Sequence, residues 1–236
     1  PPPNAAPLRP YPGGTPVSRP TSTLPAAAPN PAVAPVRPWE RANGADPTIP
    51  PSSVVIEAIA PQVDGGRYPV KREVGDRLVV TADIFKDGHD KLAAILRYRA
   101  RDETEWHETE MRFVDNDRWS GSFDLTENTR YHYAIQAFPD RFASWADGLA
   151  KKVEAGQEVG LELREGALVL EEALVRAQGA DRRVLDAALA ELAASSSQAD
   201  KVAVVLSDEV AAAMGRCRSR AGAAESAVYE VVVDRV

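Results

Sequence analysis

Sulfur, histidine and excess positive charge are all scarce in this chain. A single cysteine, Cys217, occurs in 236 residues. It excludes an internal disulfide and a cysteine metal cluster, and it suits a reduced thiol in a cytoplasmic setting. The three histidines, His89, His107 and His132, lack helical ligand spacing and have no cysteine beside them. No metal site is expected from them. Acidic side chains outnumber basic ones by 35 to 28, a formal net charge of −7. The basic footprint of a nucleic-acid binder is therefore missing. No apolar run approaches the roughly 18 residues of a membrane span, and no apolar stretch follows a basic start as in a secretory signal. Gly13-Gly14 and Gly65-Gly66 are too poor in glycine for a phosphate loop, and no Gly-Lys-Ser or Gly-Lys-Thr follows them. A G-x-S-x-G element is absent too, and Cys217 has no evident base nearby in sequence. No cofactor is expected.

Proline, in contrast, is plentiful and unevenly placed. Sixteen of the 19 prolines fall in Pro1–Pro51, among Ala, Ser, Thr, Gly and Arg. Large apolar residues are few there, so the segment cannot bury enough surface to offset its chain entropy. It is expected to be a disordered, partly polyproline II tail. A ligand for a proline-recognising partner is a further reading of this tail, ranked behind a plain solvated linker.

From Ser52 the pattern changes to short strands. Val54, Ile56 and Ala58 alternate with Val55, Glu57 and Ile59, and Leu78, Val80, Ala82 and Ile84 alternate with Val79, Thr81, Asp83 and Phe85. Period-two alternation with β-branched residues predicts strands. Further runs cover Ala93–Arg99, Trp106–Phe113, Arg118–Leu125 and Arg130–Phe138, with turn residues between them at Asp87-Gly88, Asp102-Glu103, Asp115-Asn116 and Glu127-Asn128. Strands at this spacing predict an antiparallel β-sandwich of immunoglobulin type over residues 52–160, without the paired cysteines of antibody domains. Trp119, Phe123, Tyr131, Tyr133, Ile135 and Ala137 are expected to line the space between the sheets.

After Phe138 the period becomes helical. Leu149, Lys152 and Val153 suit a short helix stopping near Gly156. Leu168, Ala173, Leu174 and Ala177 suggest a second helix, ending before Gly179. Val184, Leu185, Ala188, Leu189 and Leu192 form one face of a third, with Asp181 as its expected N-cap. Val202, Val205, Leu206, Val210, Ala213 and Met214 define another face after a break at Ser195–Ser197. The last three predict a small antiparallel bundle over residues 161–227. Val228–Val233 returns to strand character, so a final strand over 228–235 is expected to rejoin the sandwich. The predicted fold class is mainly β with an α insertion: a sandwich interrupted by a helical bundle and preceded by the tail.

The wording of the strand region is distinctive. The stretches IEAIAPQVDGGRYPVKREVGD, ADIFKDGHDKLAAILRYR, NDRWSGSF and QAFPDRFASWADGLAKKVEAGQEV follow one another from about Ser52 to Gly166, and YEVVVDR closes the chain. Together they resemble the amino-terminal region of GlgE-type α-1,4-glucan:maltose-1-phosphate maltosyltransferases. The resemblance implies a β-domain interrupted by a helical domain, in a cytoplasmic enzyme. It implies a reaction in which maltosyl units pass from α-maltose 1-phosphate to the non-reducing end of an α-1,4-glucan, with retention and release of phosphate. It also implies that the chemistry belongs to an α-amylase-like (β/α)8 barrel beyond this region, which takes about 250 residues. With Pro1 at its start and Val236 at its end, the chain is expected to be a fragment at both ends and inactive alone; the resemblance further implies a homodimer through the helical insertion and sandwich.

Retaining glycosyl transfer needs two carboxylates about 5 Å apart. Asp64, Asp83, Asp87 and Asp90 sit in or beside turns, where Asp commonly bonds backbone amides, and the resemblance assigns no catalytic or substrate-binding residue here. A rival reading is a stand-alone glucan-binding sandwich using Trp106, Trp119, Tyr131, Tyr133 or Trp145, since flat sugar faces stack on aromatic rings. The alternation favours burial for Trp119 and the tyrosines. The exposure of Trp106 and Trp145 discriminates the two readings.

Overall fold

The computed structural model describes residues 54–194 and 196–235; the expectation for the tail and Trp39 lies outside them. Eight strands come first: β1 (Val54–Ala60), β2 (Val70–Glu73), β3 (Arg77–Lys86), β4 (Leu92–Ala100), β5 (His107–Glu110), β6 (Arg112–Asp115), β7 (Arg118–Asp124) and β8 (Arg130–Pro139). Five helices follow: α1 (Arg141–Glu154), α2 (Gly160–Leu174), α3 (Gly179–Ala193), α4 (Gln198–Val205) and α5 (Asp208–Arg216). Two strands, β9 (Ala224–Glu225) and β10 (Tyr229–Asp234), end the order. One sheet runs β1-β3-β7-β6, and the other runs β2-β10-β8-β4-β5 with β9 beside β8. The sandwich and the helices belong to one compact unit.

The mainly β architecture with a helical insertion matches the sequence reading. Leu78, Val80, Ala82 and Ile84 of β3 all point into the core with Trp119, Phe123, Tyr131, Tyr133, Ile135 and Ala137. This is the inward face that the alternation predicts. The β6–β7 hairpin turns on Asn116 and Asp117, both at positive φ (41° and 66°), as a two-residue loop matched to strand twist requires.

Several details differ. In β1 the register slips between Glu57 and Ala60. Ala58 takes a φ of 49°, so Ile59 is buried and Ala58 is exposed. One extra residue at a bulge reverses the faces beyond it. The Trp106–Phe113 run is two strands, because the chain changes sheets at buried Met111, whose amide donates to the Ala94 carbonyl at 2.9 Å. The β2–β10 pair is parallel, although the other pairs are antiparallel. Asp83 lies inside β3 and bonds Arg118 rather than a turn amide.

Helix ends follow local chemistry. Asp140 caps α1, its carboxylate accepting the Ala143 amide at 2.9 Å, and Gly156 at φ 69° follows the end of α1. α3 starts at Gly179 with Gln178 in the cap position. Asp181 therefore sits in the first turn and bonds Arg216 instead of capping. The single helix expected over Val202–Met214 is two, because Ser207 caps a new helix by accepting the Val210 amide. Ser197 and Asp200 form a reciprocal capping box on α4. The expected division after residue 160 falls at the start of α2, beyond α1, while α1 packs with the helices: Phe142 joins the core of Leu170, Ala173, Leu185, Ala188, Val210 and Ala213.

Candidate functional site

The aromatic rings that would recognise a sugar are engaged elsewhere. Trp119 is buried between the sheets, its indole N–H donating to the Ile84 carbonyl at 3.2 Å. The Tyr131 hydroxyl accepts the Glu127 amide at 3.1 Å. The Tyr133 hydroxyl donates to the Pro61 carbonyl, and burial pushes its pKa up. Trp145, on α1, is half-buried. Its indole N–H donates to the Glu162 carbonyl at 2.8 Å, and its ring lies so close to Gly166 that a Cβ there would sit 2.1 Å away. Trp106, just before β5, is also half-buried, with the Arg99 and Arg97 guanidinium groups 4.8 and 5.3 Å from its ring centroid. Both tryptophans therefore brace their own surroundings. Among the described residues the exposed rings, Tyr68 and Phe113, lie before β2 and on β6, strands of different sheets.

Titratable groups are arranged as ion pairs. The Arg77 guanidinium holds the Asp124 carboxyl below its usual range, and Arg216 does the same to Asp181. Carboxylates bound in this way are poor proton donors near neutral pH. His107 meets Glu103 at 3.1 Å, His132 lies 3.8 Å from Glu230, and His89 is exposed on the β3–β4 turn. Among the described residues no three His, Cys, Asp or Glu side chains gather as metal ligands, and no helix is long and apolar enough to cross a membrane. Cys217 is buried, and burial pushes its thiol up; such a thiol is a weak nucleophile.

What does stand out is the outward face of α2. Leu161, Leu168 and Val175, the last at the C-cap of the helix in helical conformation, are 59%, 64% and 85% exposed. A spacing of seven residues brings them nearly into line, drifting only about 20° per step. Arg164, Glu165, Glu171 and Glu172 flank this ridge and are exposed as well. Grooves border it on both sides. One, of about 450 Å³, includes Trp145, Leu168 and Val169 in its walls. The other, of about 400 Å³, is lined by Leu163, Ala167, Leu189 and Leu192 among others. Of the residues whose pattern suggested this helix, Ala173 and Ala177 are buried and Leu168 is exposed. The heptad spacing of Leu161, Leu168 and Val175 was the available signal.

Comparison with known proteins adds a family. Residues 52–235 match the model for domain N/S of α-1,4-glucan:maltose-1-phosphate maltosyltransferase. A relative of that name from Myxococcus xanthus (strain DK1622) is 48% identical over 167 residues, 67% of this chain and 25% of the relative. One from Chlorobaculum tepidum is 42% identical over 168 residues, 71% of this chain and 25% of the relative. One from Salinibacter ruber is 38% identical over 186 residues, 78% and 27% respectively. The chain thus spans about a quarter of the length of these curated relatives.

Proposed function

The chain belongs to the α-1,4-glucan:maltose-1-phosphate maltosyltransferase family through its domain N/S, and on that premise we propose that it is the scaffold and dimerisation region of such an enzyme. The enzyme would pass maltosyl units from α-maltose 1-phosphate to an α-1,4-glucan in the cytoplasm, by a retaining reaction on carboxylates outside these residues. We read the sandwich as immunoglobulin-like and as the platform for the bundle. This chain alone would bind neither substrate productively nor turn it over.

The observation that carries the dimer is the ridge of α2. Three apolar side chains stay in water although a bundle core lies one helix face away. An antiparallel crossing of two copies about a two-fold axis at Leu168 sets Leu161 against Val175 and Arg164 against Glu172. The same patch then serves both subunits, as an isologous contact requires, and a ridge beside grooves is the usual form of helix packing. The rival glucan-binding module draws less support, because Trp106 and Trp145 are both occupied by their own neighbours.

Sedimentation of the chain and of Leu168→Glu tests the reading. The native chain is expected to dimerise at micromolar concentration. Two like charges placed on the axis should weaken association about 100-fold or more, without loss of helicity. A native chain that stays monomeric, or a Leu168→Glu variant that dimerises as well, overturns it.

A further inference from the structure

The helices join the sandwich through two crossings of the chain, one between β8 and α1 and one between α5 and β9. Apolar packing at this joint is slight. The sandwich core and the helical core are separate clusters. Outside them a small patch of Ala93, Ile95 and Phe138 meets Ala223 of the returning segment. Two bodies tied by two short segments, with little apolar surface shared, swing about those segments unless polar bonds hold them.

The polar bonds converge on Arg218. Its Nε donates to Asp140 Oδ2 at 2.7 Å and its Nη1 to Glu110 Oε1 at 2.6 Å. Asp140 is the buried charged residue among those described, with 6% exposure. It belongs to the outgoing crossing, where its other carboxylate oxygen caps α1 and its amide donates to the Lys91 carbonyl at 2.8 Å. Glu110 belongs to β5, at the edge of the sheet. One guanidinium in the returning crossing therefore grips the outgoing crossing and the sheet edge together. Two residues on, Arg220 binds both oxygens of Glu108, at 2.8 and 2.7 Å, and Gln136 at 3.2 Å. On the other side of α1, the Lys91 amide donates to Ser144 Oγ at 2.8 Å and its ammonium lies 3.3 Å from Asp147.

We propose that this joint is a latched hinge, in which Arg218, seated between Asp140 and Glu110, fixes the orientation of the helical layer on the sandwich. A buried carboxylate must be paired, and breaking such a pair costs far more than an exposed one. The strongest bond of the joint therefore lies where the two crossings meet, and the exposed pairs around it add little by themselves. With Arg218 removed, the layer swings about Pro139–Arg141 and the 217–223 segment while both cores stay folded. The latch so fixes the direction in which the α2 ridge faces.

Hydrogen exchange on the full chain and on Arg218→Met decides between a latch and a general structural role. The variant should speed exchange of the Ala143, Ser144 and Ala223 amides about tenfold or more, leaving the amides of β3 and α3 as slow as before. Spin labels at Val79→Cys and Ala187→Cys should give a broader distance distribution in the variant than in the native chain. Asp140→Asn offers a second test if Arg218→Met does not fold, because Asn still caps α1 while the charge pair is lost. It should give the same pattern at smaller amplitude. Unchanged exchange at the joint, or an equal rise in β3 and α3, overturns the proposal for either variant. So does an unbroadened distance distribution.

Discussion

In the sandwich, Tyr98 stacks on Phe123 with centroids 4.2 Å apart, Tyr133 stacks on Tyr229 at 5.5 Å, and Leu78, Val80, Leu96 and Leu125 are almost wholly removed from water. In the helical layer, Ala173, Ala177, Ala188 and Ala213 take a large share of the core, while Leu161, Leu168 and Val175 stay outside. The sandwich brings large side chains from distant strands to a shared interior. The helical layer packs small ones at its closest approaches and leaves Leu161, Leu168 and Val175 in a row, whereas the large apolar residues that the sandwich leaves exposed, Val55, Val79, Phe113 and Val114 among them, are spread over β1, β3 and β6. The difference follows from geometry. Two sheets about 10 Å apart have room for rings between them. Short helices packed at 8–10 Å favour alanine at the closest approaches, and their outward turns carry whatever apolar residues the bundle cannot use. A core closed by large side chains from distant strands suits a platform, and an apolar row along one helix suits a contact.

The largest expected effect tests whether the sandwich is the platform. Leu96→Ala removes a fully buried side chain from the sheet that carries both crossings. It should cost about 3 kcal/mol and release the helices with the sandwich, because both ends of the insertion are anchored there. Leu185→Ala, in the core of the helical layer, should melt helices and leave the strands protected. Urea unfolding followed in parallel by near-ultraviolet dichroism and by helix exchange separates the two. A Leu96→Ala chain that keeps its helical exchange protection would break the comparison.

A smaller effect tests how tightly the helical layer is packed. Gly166→Ala forces a Cβ into the Trp145 ring, which the Glu162 carbonyl holds in place. Overpacking of this kind costs about 1–3 kcal/mol, and the better helix propensity of alanine returns about 1 kcal/mol. A net loss of about 1 kcal/mol is expected, with a change in Trp145 fluorescence. A gain in stability would mean that the layer yields easily and that its core is looser than its contacts suggest.

How much of this was legible in the sequence depends on how local the signal is. The β3 alternation and the Asp115-Asn116 turn signal are local, and the strands followed from them, although the turn itself falls one residue later, on Asn116 and Asp117. The β1 bulge was not legible, because an alternating run gives no sign of the residue at which the register slips. The break at Leu206-Ser207 was missed because Ser207 interrupts an apolar face by a single position. On α2, leucines at 161, 163, 168 and 170 populate opposite sides of the helix. Their pattern alone does not say which side meets α3. Asp140 and Arg218 are 78 residues apart and belong to no shared period, so their pairing needed the fold. The same holds for Trp106, whose ring meets Arg97 and Arg99 of β4, and for Trp145, whose indole N–H and ring meet Glu162 and Gly166 of α2.

The smallest effect concerns the acid response of the joint. Arg220, by its hydrogen bonds first and its charge second, with Arg97 adding to it, holds the Glu108 carboxyl below its usual range. A carboxylate whose pKa is lower in the folded chain stabilises that chain fully above its unfolded value, about 4.3. The contribution is lost as the pH falls through the lower, folded value. Glu108 is part-exposed, so solvent screening limits the contribution to about 1 kcal/mol or less. Arg220→Met should remove it. Urea midpoints at about pH 6 and about pH 3.5 would show a smaller acid loss in the variant than in the native chain. Helical and sandwich probes should report the difference equally if the joint transmits it. An acid loss of the same size in both chains would mean that Glu108 and Arg220 are bonded without being linked to folding, leaving Asp140 and Arg218 as the bond that ties the sandwich to the helical layer.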